Sequence, residues 1–498
     1  MQTLAGSKLG NRPKRKLFLL AVDATDLQFV QSNLSSLPNF KQLFNRGRLI
    51  ETKSSANLLS ASPWTTFSSG MMPGEHGHYF PLQWDASAMR FYQVKGNALA
   101  FEPFWNGLAS KGVKTIVFDA MSVPVDPTAP GIQVVNWNTQ CNFTPTSNRQ
   151  DVLRQLKQKF GRKPIGDEIA VRKSRKVLTR HRDKLIKSVR KKSDAIAWIM
   201  KEFEWDFFLT SYFEGHRAGH NLWPIWKDFT SDPPEGAMLD VYQELDVQIG
   251  RLLAALDFSD TVLLLFSLHG MVPGFAQDHF LPGIMDRVNF RYASNSGEVP
   301  QSQRRGIARI LRQTIPASVQ LRIRELVGQD IQDWLVDREW RGGKDWKRTP
   351  AFPVPCGGDV GFIRLNISGR EKYGCLPASE EGRAPYVDFL CKSIRALRVK
   401  ATNEPLVRDI VITEKEFPGP RSHLLPDILL VWHPDSPATE IWSEELGTIT
   451  AHSKMGRGGV HGGDSFAVLA GAIDDDEVLP PLNHVVDYKN FVTRLLDA

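Results

Sequence analysis

Ser60 is the first side chain whose type and setting suit covalent chemistry. It opens a run over residues 60–77, Ser-Ala-Ser-Pro-Trp-Thr-Thr-Phe-Ser-Ser-Gly-Met-Met-Pro-Gly-Glu-His-Gly. Pro63 reads as the first residue of a short helix and Ser62 as its N-cap, whose oxygen would accept an orphan backbone N–H. A hydroxyl just ahead of a helix N-terminus sits where backbone N–H groups and the helix dipole favour negative charge. That suits a nucleophile that must become an alkoxide and then hold an anionic group. Gly70 stops the helix, and Pro73, Gly74 and Gly77 punctuate the following turn.

A second set of residues could hold a metal. The apolar run 17–22 ends in Asp23, and such a run reads as a buried parallel strand with a carboxylate at its C-terminal end. The run 207–212 leads into Glu214-Gly215-His216-Arg217-Ala218-Gly219-His220, and the run 262–266 leads into Ser267-Leu268-His269-Gly270. His461 lies in a glycine-rich loop just before the run 466–469. Four histidines and one carboxylate thus fall at strand ends, and open α/β sheets bind ligands at the C-terminal ends of their strands. His216 and His220 are four residues apart, a spacing that one helical turn places on one face and that zinc sites use.

These fragments carry a resemblance. Asp23-Ala24-Thr25, Leu37-Pro38-Asn39-Phe40, Ser60 to Phe67 and Gly70 to Gly77 resemble the alkaline phosphatase superfamily, within it the type I phosphodiesterase/nucleotide pyrophosphatase branch. The resemblance implies that the Thr or Ser ten residues before the glycine of a Thr-Gly step is the nucleophile. Counting back from Gly70 gives Ser60, although the step here is Ser69-Gly70. It further implies a first metal on an Asp-x-x-x-His element and a late histidine, here His216, His220 and His461, with His216 standing at the Asp position. A second metal would take Asp23, Ser60 and His269. The branch's Asp before that last histidine is Leu268, which cannot ligate; Glu214 and Asp278 are candidates to replace its oxygen. The implied cofactor is a divalent metal, zinc first and manganese second, as one ion or two. Arg217, beside these residues, is a candidate to neutralise a phosphate.

Composition bounds the remaining readings. With 498 residues, 42% of them hydrophobic and 23% charged, the chain has core enough for one large α/β enzyme with insertions. No run approaches ~18 apolar residues, so no membrane span is expected. The basic residues 12–16 precede only six apolar ones, short for a secretory leader, which makes a cytoplasmic location the default expectation. Cys141, Cys356, Cys375 and Cys391 are scattered and read as reduced thiols. The net charge of +7 is partly local: residues 162–192 hold thirteen Lys and Arg against three acids. Leu178, Leu185, Ile186 and Val189 give that stretch an apolar seam, so a solvated helix face is favoured over contact with nucleic acid or an anionic surface.

Strand-like runs at 17–22, 115–118, 207–212, 262–266, 428–432 and 466–469 alternate with amphipathic stretches such as 239–256 and 386–398. The expected fold is α/β, a mostly parallel central sheet with helices on both faces, in one alkaline-phosphatase-like domain over residues 1–498. Residues 286–350 break the pattern and read as an inserted cap, where Trp334, Trp340 and Trp346 either shape a pocket or anchor the insertion. The expected function is hydrolysis, or phospho-group transfer, on a phosphoester, a phosphodiester first, through a phospho-serine at Ser60. The alternatives are an impaired member binding an anionic partner, and a sulfatase or phosphonate hydrolase.

Overall fold

The computed structural model describes residues 15–94, 99, 101–139, 144–166, 172–223, 231–294, 345–358, 360–433, 437–453, 455–474 and 477–497. Cys141, Trp334, Trp340, residues 12–14 and most of the expected cap, residues 295–344, lie outside the described residues.

Eight strands form the central sheet: β1 (Lys16–Val22), β2 (Arg48–Lys53), β3 (Thr115–Ala120), β4 (Ile132–Val135), β5 (Thr146–Ser147), β6 (Phe207–Tyr212), β7 (Thr261–Ser267) and β8 (Asp464–Gly471). Their order across the sheet is β2-β8-β7-β1-β6-β3-β4-β5. The five inner strands β7-β1-β6-β3-β4 pair in parallel, while β8 runs antiparallel between β7 and β2, and β5 caps the other edge antiparallel to β4. β1, β6 and β7 have no exposed residue, as expected for strands covered on both faces. β2 is half exposed and alternates weakly, which is why no apolar run announces it.

Helices supply the cover. The ones that matter for the site are α1 (Pro63–Ser69), α2 (Arg175–Glu202), α3 (Glu214–Leu222) and α4 (Ala237–Leu253). Gly70, with a left-handed φ of 68°, ends α1. Ser62 does not cap α1 in the expected way. Its hydroxyl donates to Leu59 O (2.8 Å) and meets Ser55 Oγ (2.8 Å), and its backbone is already helical, so the side chain points back into the preceding turn. In α2, Leu178, Leu185 and Val189 form the buried seam. Arg162, Lys163, Lys184, Lys187 and Lys191 line a cavity of about 350 Å³ beside it.

A second core sits beside the sheet. The strand Ile428–Trp432, expected in the central sheet, instead belongs to a four-stranded antiparallel sheet with Ala351–Val354, Val360–Leu365 and Val407–Ile412. Helices Leu281–Ala293 and Glu380–Arg395 pack on it through Ile284, Met285, Tyr386 and Leu390. Arg364, Arg370, Glu371 and Asp427 form ion pairs here: Arg364 Nε reaches Glu371 Oε1 (2.8 Å), and Arg370 holds Asp427 through two bonds (2.6 and 2.8 Å). Burial opposes the charge on Asp427, but Arg370 keeps its carboxyl below the usual range. Trp346, from the expected cap, packs against Trp84 and Phe352.

The Pro-Gly-Glu-His turn docks the two cores together. Arg421 N–H donates to Gly74 O (2.8 Å), and a Cβ on Gly74 would meet Phe417 O at 2.1 Å, so only glycine permits this approach. Among the described residues, Cys356, Cys375 and Cys391 form no disulfide.

Candidate metal centre

Asp23, His216, His220 and His269 follow the C-terminal ends of β1, β6 and β7, which run parallel. His461 precedes the antiparallel β8, and Ser60 follows β2, which runs with the parallel set because β8 is antiparallel to both neighbours. All six residues therefore occupy one edge of the sheet. This is the position that strand direction alone assigns to a ligand site.

Five of the six converge. His216 Nε2 lies 3.1 Å from His220 Nε2 and 2.9 Å from His461 Nε2. His216 Nδ1 lies 2.6 Å from Asp23 Oδ2, and His269 Nε2 lies 3.9 Å from Asp23 Oδ1. Two groups emerge that could hold an ion, His216/His220/His461 and Asp23/His216/His269, and they share His216. Ser60 stands at the half-buried turn before α1. Its loop reaches the histidines from two sides: Ser54 N–H donates to Gly463 O (2.8 Å) beside His461, and Trp64 Nε1–H donates to Asp23 Oδ1 (2.9 Å).

The supports of these side chains are local. His220 Nδ1 donates to Gly459 O at 2.9 Å, which needs the 458–461 strand pressed onto α3. A Cβ on Gly459 would stand 2.4 Å from Gly219 O, so glycine is required there. His269 Nδ1 donates to Gly270 O (3.0 Å), and Ser267 Oγ bridges His269 O (2.7 Å) to Thr25 N–H (3.0 Å), fastening the β7 loop to the β1 loop. Helix α1 is clamped by Thr65 Oγ1 to His78 Nδ1 (2.8 Å) and Thr66 Oγ1 to His76 Nε2 (3.1 Å).

Burial dominates the electrostatics. It pushes His269 down to about 3 and His220 well below its ordinary value, so both are neutral with a lone pair at neutral pH. Burial alone would raise Asp23, but the bond from His216, the electrostatic influence of the His216 and His269 rings, and the Trp64 N–H together carry its pKa below the usual carboxylate range.

The proposed oxygen replacements do not join the cluster. Glu214 is fully buried and spent elsewhere, accepting from Ser188 Oγ (2.6 Å) and Asn138 Nδ2 (3.0 Å), and Asp278 belongs to neither ligand group. Leu268 is buried in the main core, and Arg217 is fully buried within α3. Two supporting residues escaped the sequence reading. Trp64 lay inside the quoted motif with no role attached. Lys192 lay inside the basic run, yet it is wholly buried, paired with Asp119 at the end of β3 and stacked over Phe118 (4.5 Å). Asp119 Oδ1 in turn accepts from Asn138 N (2.8 Å), which connects this pair to Glu214 at the start of α3. Its position was marked by spacing: Lys192 lies three residues after Val189 and four before Ile196, on the buried face of α2.

The sequence profile of the type I phosphodiesterase / nucleotide pyrophosphatase family matches residues 17–464. The chain belongs to that family. It is therefore an alkaline phosphatase superfamily member and stands among phosphoester hydrolases, and its mostly parallel sheet with added small sheets is the superfamily architecture. Among solved structures it is similar to phosphonoacetate hydrolase from Sinorhizobium meliloti 1021 in complex with phosphonoformate. That match has 13% identity and a TM-score of 0.51, and covers 98% of this chain and 97% of that one. It is also similar to murine ectonucleotide pyrophosphatase / phosphodiesterase 5 in complex with AMP, an inactive form, at 12% identity and a TM-score of 0.47 over 97% and 95% of the two chains. The first of these likenesses supports the fold. No curated protein sequence matches the chain. Superfamily members typically depend on divalent metals, and the two histidine-rich groups give this family member residues able to hold one. No helix among the described residues is long and apolar enough to cross a membrane.

Proposed function

We propose that the protein is a metal-dependent hydrolase that cleaves phosphodiesters through a covalent phospho-serine at Ser60. The convergence of Asp23, His216, His220, His269 and His461 on the sheet edge that also carries Ser60 supports this reading most directly. The donor set fits a borderline metal, and zinc suits three imidazole nitrogens better than manganese does. Three nitrogens at 2.0–2.1 Å from a tetrahedral ion stand about 3.3 Å apart, and the observed Nε2 separations of 2.9 and 3.1 Å fall within a few tenths of that. A bound divalent ion supplies Lewis-acid polarisation and neutralises charge developing on phosphorus-bound oxygens.

The chain's own residues then have distinct tasks. Ser60 Oγ forms a bond to phosphorus as the ester bond to the leaving alcohol breaks, and water later cleaves the phospho-serine, restoring the hydroxyl and releasing a phosphate monoester. Trp64 and Asp23 fix the position of α1 relative to the histidines, and the Gly459 carbonyl fixes the His220 ring.

Hydrolysis of bis-nitrophenyl phosphate before and after chelation tests this reading. Activity should vanish with the metal and return with added zinc. Ser60→Ala should lose turnover by at least about 10³-fold while keeping its fold and metal content. Chelator-insensitive turnover would refute the proposal. Faster turnover of a sulfate ester or a phosphonate would redirect the substrate class. Leu268, where the family resemblance implies a carboxylate, favours one second reading, an impaired member that only binds an anion. Full metal content without turnover on any of these esters would support it.

A further inference from the structure

Building on that metal-dependent reading, we infer that the centre is made for a single ion, held by the Nε2 atoms of His216, His220 and His461, and that Asp23 orients His216 from outside the coordination sphere. The proton positions decide it. Gly459 O can only accept, so the 2.9 Å contact makes His220 Nδ1 the N–H and leaves Nε2 as the lone pair. The Asp23 carboxylate likewise accepts, so the 2.6 Å contact makes His216 Nδ1 the N–H and leaves Nε2 as the ring atom that faces His220 and His461. His216 Nε2 then stands 3.1 Å from His220 Nε2 and 2.9 Å from His461 Nε2, and three ring nitrogens this close together can share one cation.

The same protons dismantle the second group. His216 would have to offer Nδ1 to an ion shared with Asp23 and His269, but Nδ1 carries hydrogen. Asp23 is already engaged on both oxygens, by His216 at Oδ2 and by the Trp64 indole at Oδ1. What remains is His269 and the half-buried Ser60 hydroxyl, and Leu268 beside His269 contributes no donor. Two divalent ions about 3.5–4 Å apart repel with four times the energy of two unit charges, and a single carboxylate does little against that. A carboxylate that receives the far N–H of a metal-bound histidine fixes its tautomer and raises its basicity, which is the role the geometry gives Asp23.

Metal analysis and zinc X-ray absorption on the full-length protein test the inference. Protein equilibrated with zinc and freed of excess should hold one zinc per chain, with three histidine nitrogens at about 2.0–2.1 Å. Asp23→Asn keeps an acceptor for His216 Nδ1 and should show the same three-histidine signature, with zinc affinity lowered about 10–100-fold. His269→Ala, an independent variant should Asp23→Asn misfold, should still bind one zinc with unchanged histidine scattering. Two zincs in the wild type, or loss of a zinc-bound carboxylate in Asp23→Asn, or a fall from two ions to one in His269→Ala, would overturn the single-ion assignment alone. A wild type that binds no zinc and keeps its turnover would overturn the metal-dependent reading beneath it.

Discussion

The indole N–H of Trp64 donates to Asp23 Oδ1 across 2.9 Å in a fully buried setting, joining the helix that follows Ser60 to the carboxylate that holds His216. One aromatic residue thus connects the proposed nucleophile's element to the proposed metal's. Trp64→Phe keeps most of the ring packing against Phe67 and Phe213 but removes the donor. A hydrogen bond to a charged group contributes about 1.5–3 kcal/mol, so the urea midpoint should fall accordingly. Turnover should fall with it, while zinc content stays near that of the wild type. An unchanged midpoint would mean that Asp23 finds another donor.

Lys192 and Asp119 form a buried pair whose charges burial opposes on both sides, raising Asp119 and lowering Lys192. Removing one partner leaves the other uncompensated. Lys192→Met should cost about 3–5 kcal/mol in denaturant titration, and adding Asp119→Asn should recover part of the loss. Asparagine is the proper partner change because residue 119 has φ of 70°, a left-handed conformation that Asn tolerates. Additive losses in the double variant would show the two residues to be uncoupled.

Stability should fall steeply in mild acid. Burial holds His76 and His269 near 3 and His78 near 4, below the ordinary 6.5. As pH drops below about 6.5 the unfolded chain takes up protons at these sites and the folded chain does not, so each site contributes up to about 1.4 kcal/mol of lost stability per pH unit. The loss continues until the folded histidines themselves protonate near pH 3–4. Metal-stripped protein titrated with urea at pH 7.5, 6.0 and 5.0 measures it, and His78→Gln should flatten the slope. A midpoint that is level over this range would contradict the neutral assignment.

Leu268→Asp restores a carboxylate beside His269 but places it where Leu268 is wholly enclosed by the core. With no second ion to pair it, the new charge should destabilise the fold by about 3–5 kcal/mol and leave zinc at one per chain. A second tight zinc equivalent appearing in the variant alone would show that the pocket retains a usable second site.

Much of the frame was legible in the chain. The runs at 17–22, 207–212 and 262–266 are too continuously apolar for any element exposed on one side, so they had to become β1, β6 and β7. Residues attached to the ends of parallel strands had to share an edge, which brought Asp23, His216, His220 and His269 together before any coordinate was known. The run 428–432 was read as a strand correctly but assigned to the wrong sheet, because hydrophobic length reports burial and not the partner.

Other features were settled only in three dimensions. Whether Asp23 ligates or orients depends on a 2.6 Å contact between residues 193 positions apart, and the tautomer of His220 depends on a carbonyl 239 positions away. Helical spacing puts Lys192 on the buried face of α2, but its partner Asp119 comes from β3, 73 positions away. Residue types and their periodicity determine which elements form and which edge gathers the reactive groups. The direction of a ring nitrogen, and with it the number of ions the centre can take, is determined by where distant backbone carbonyls and carboxylates come to rest.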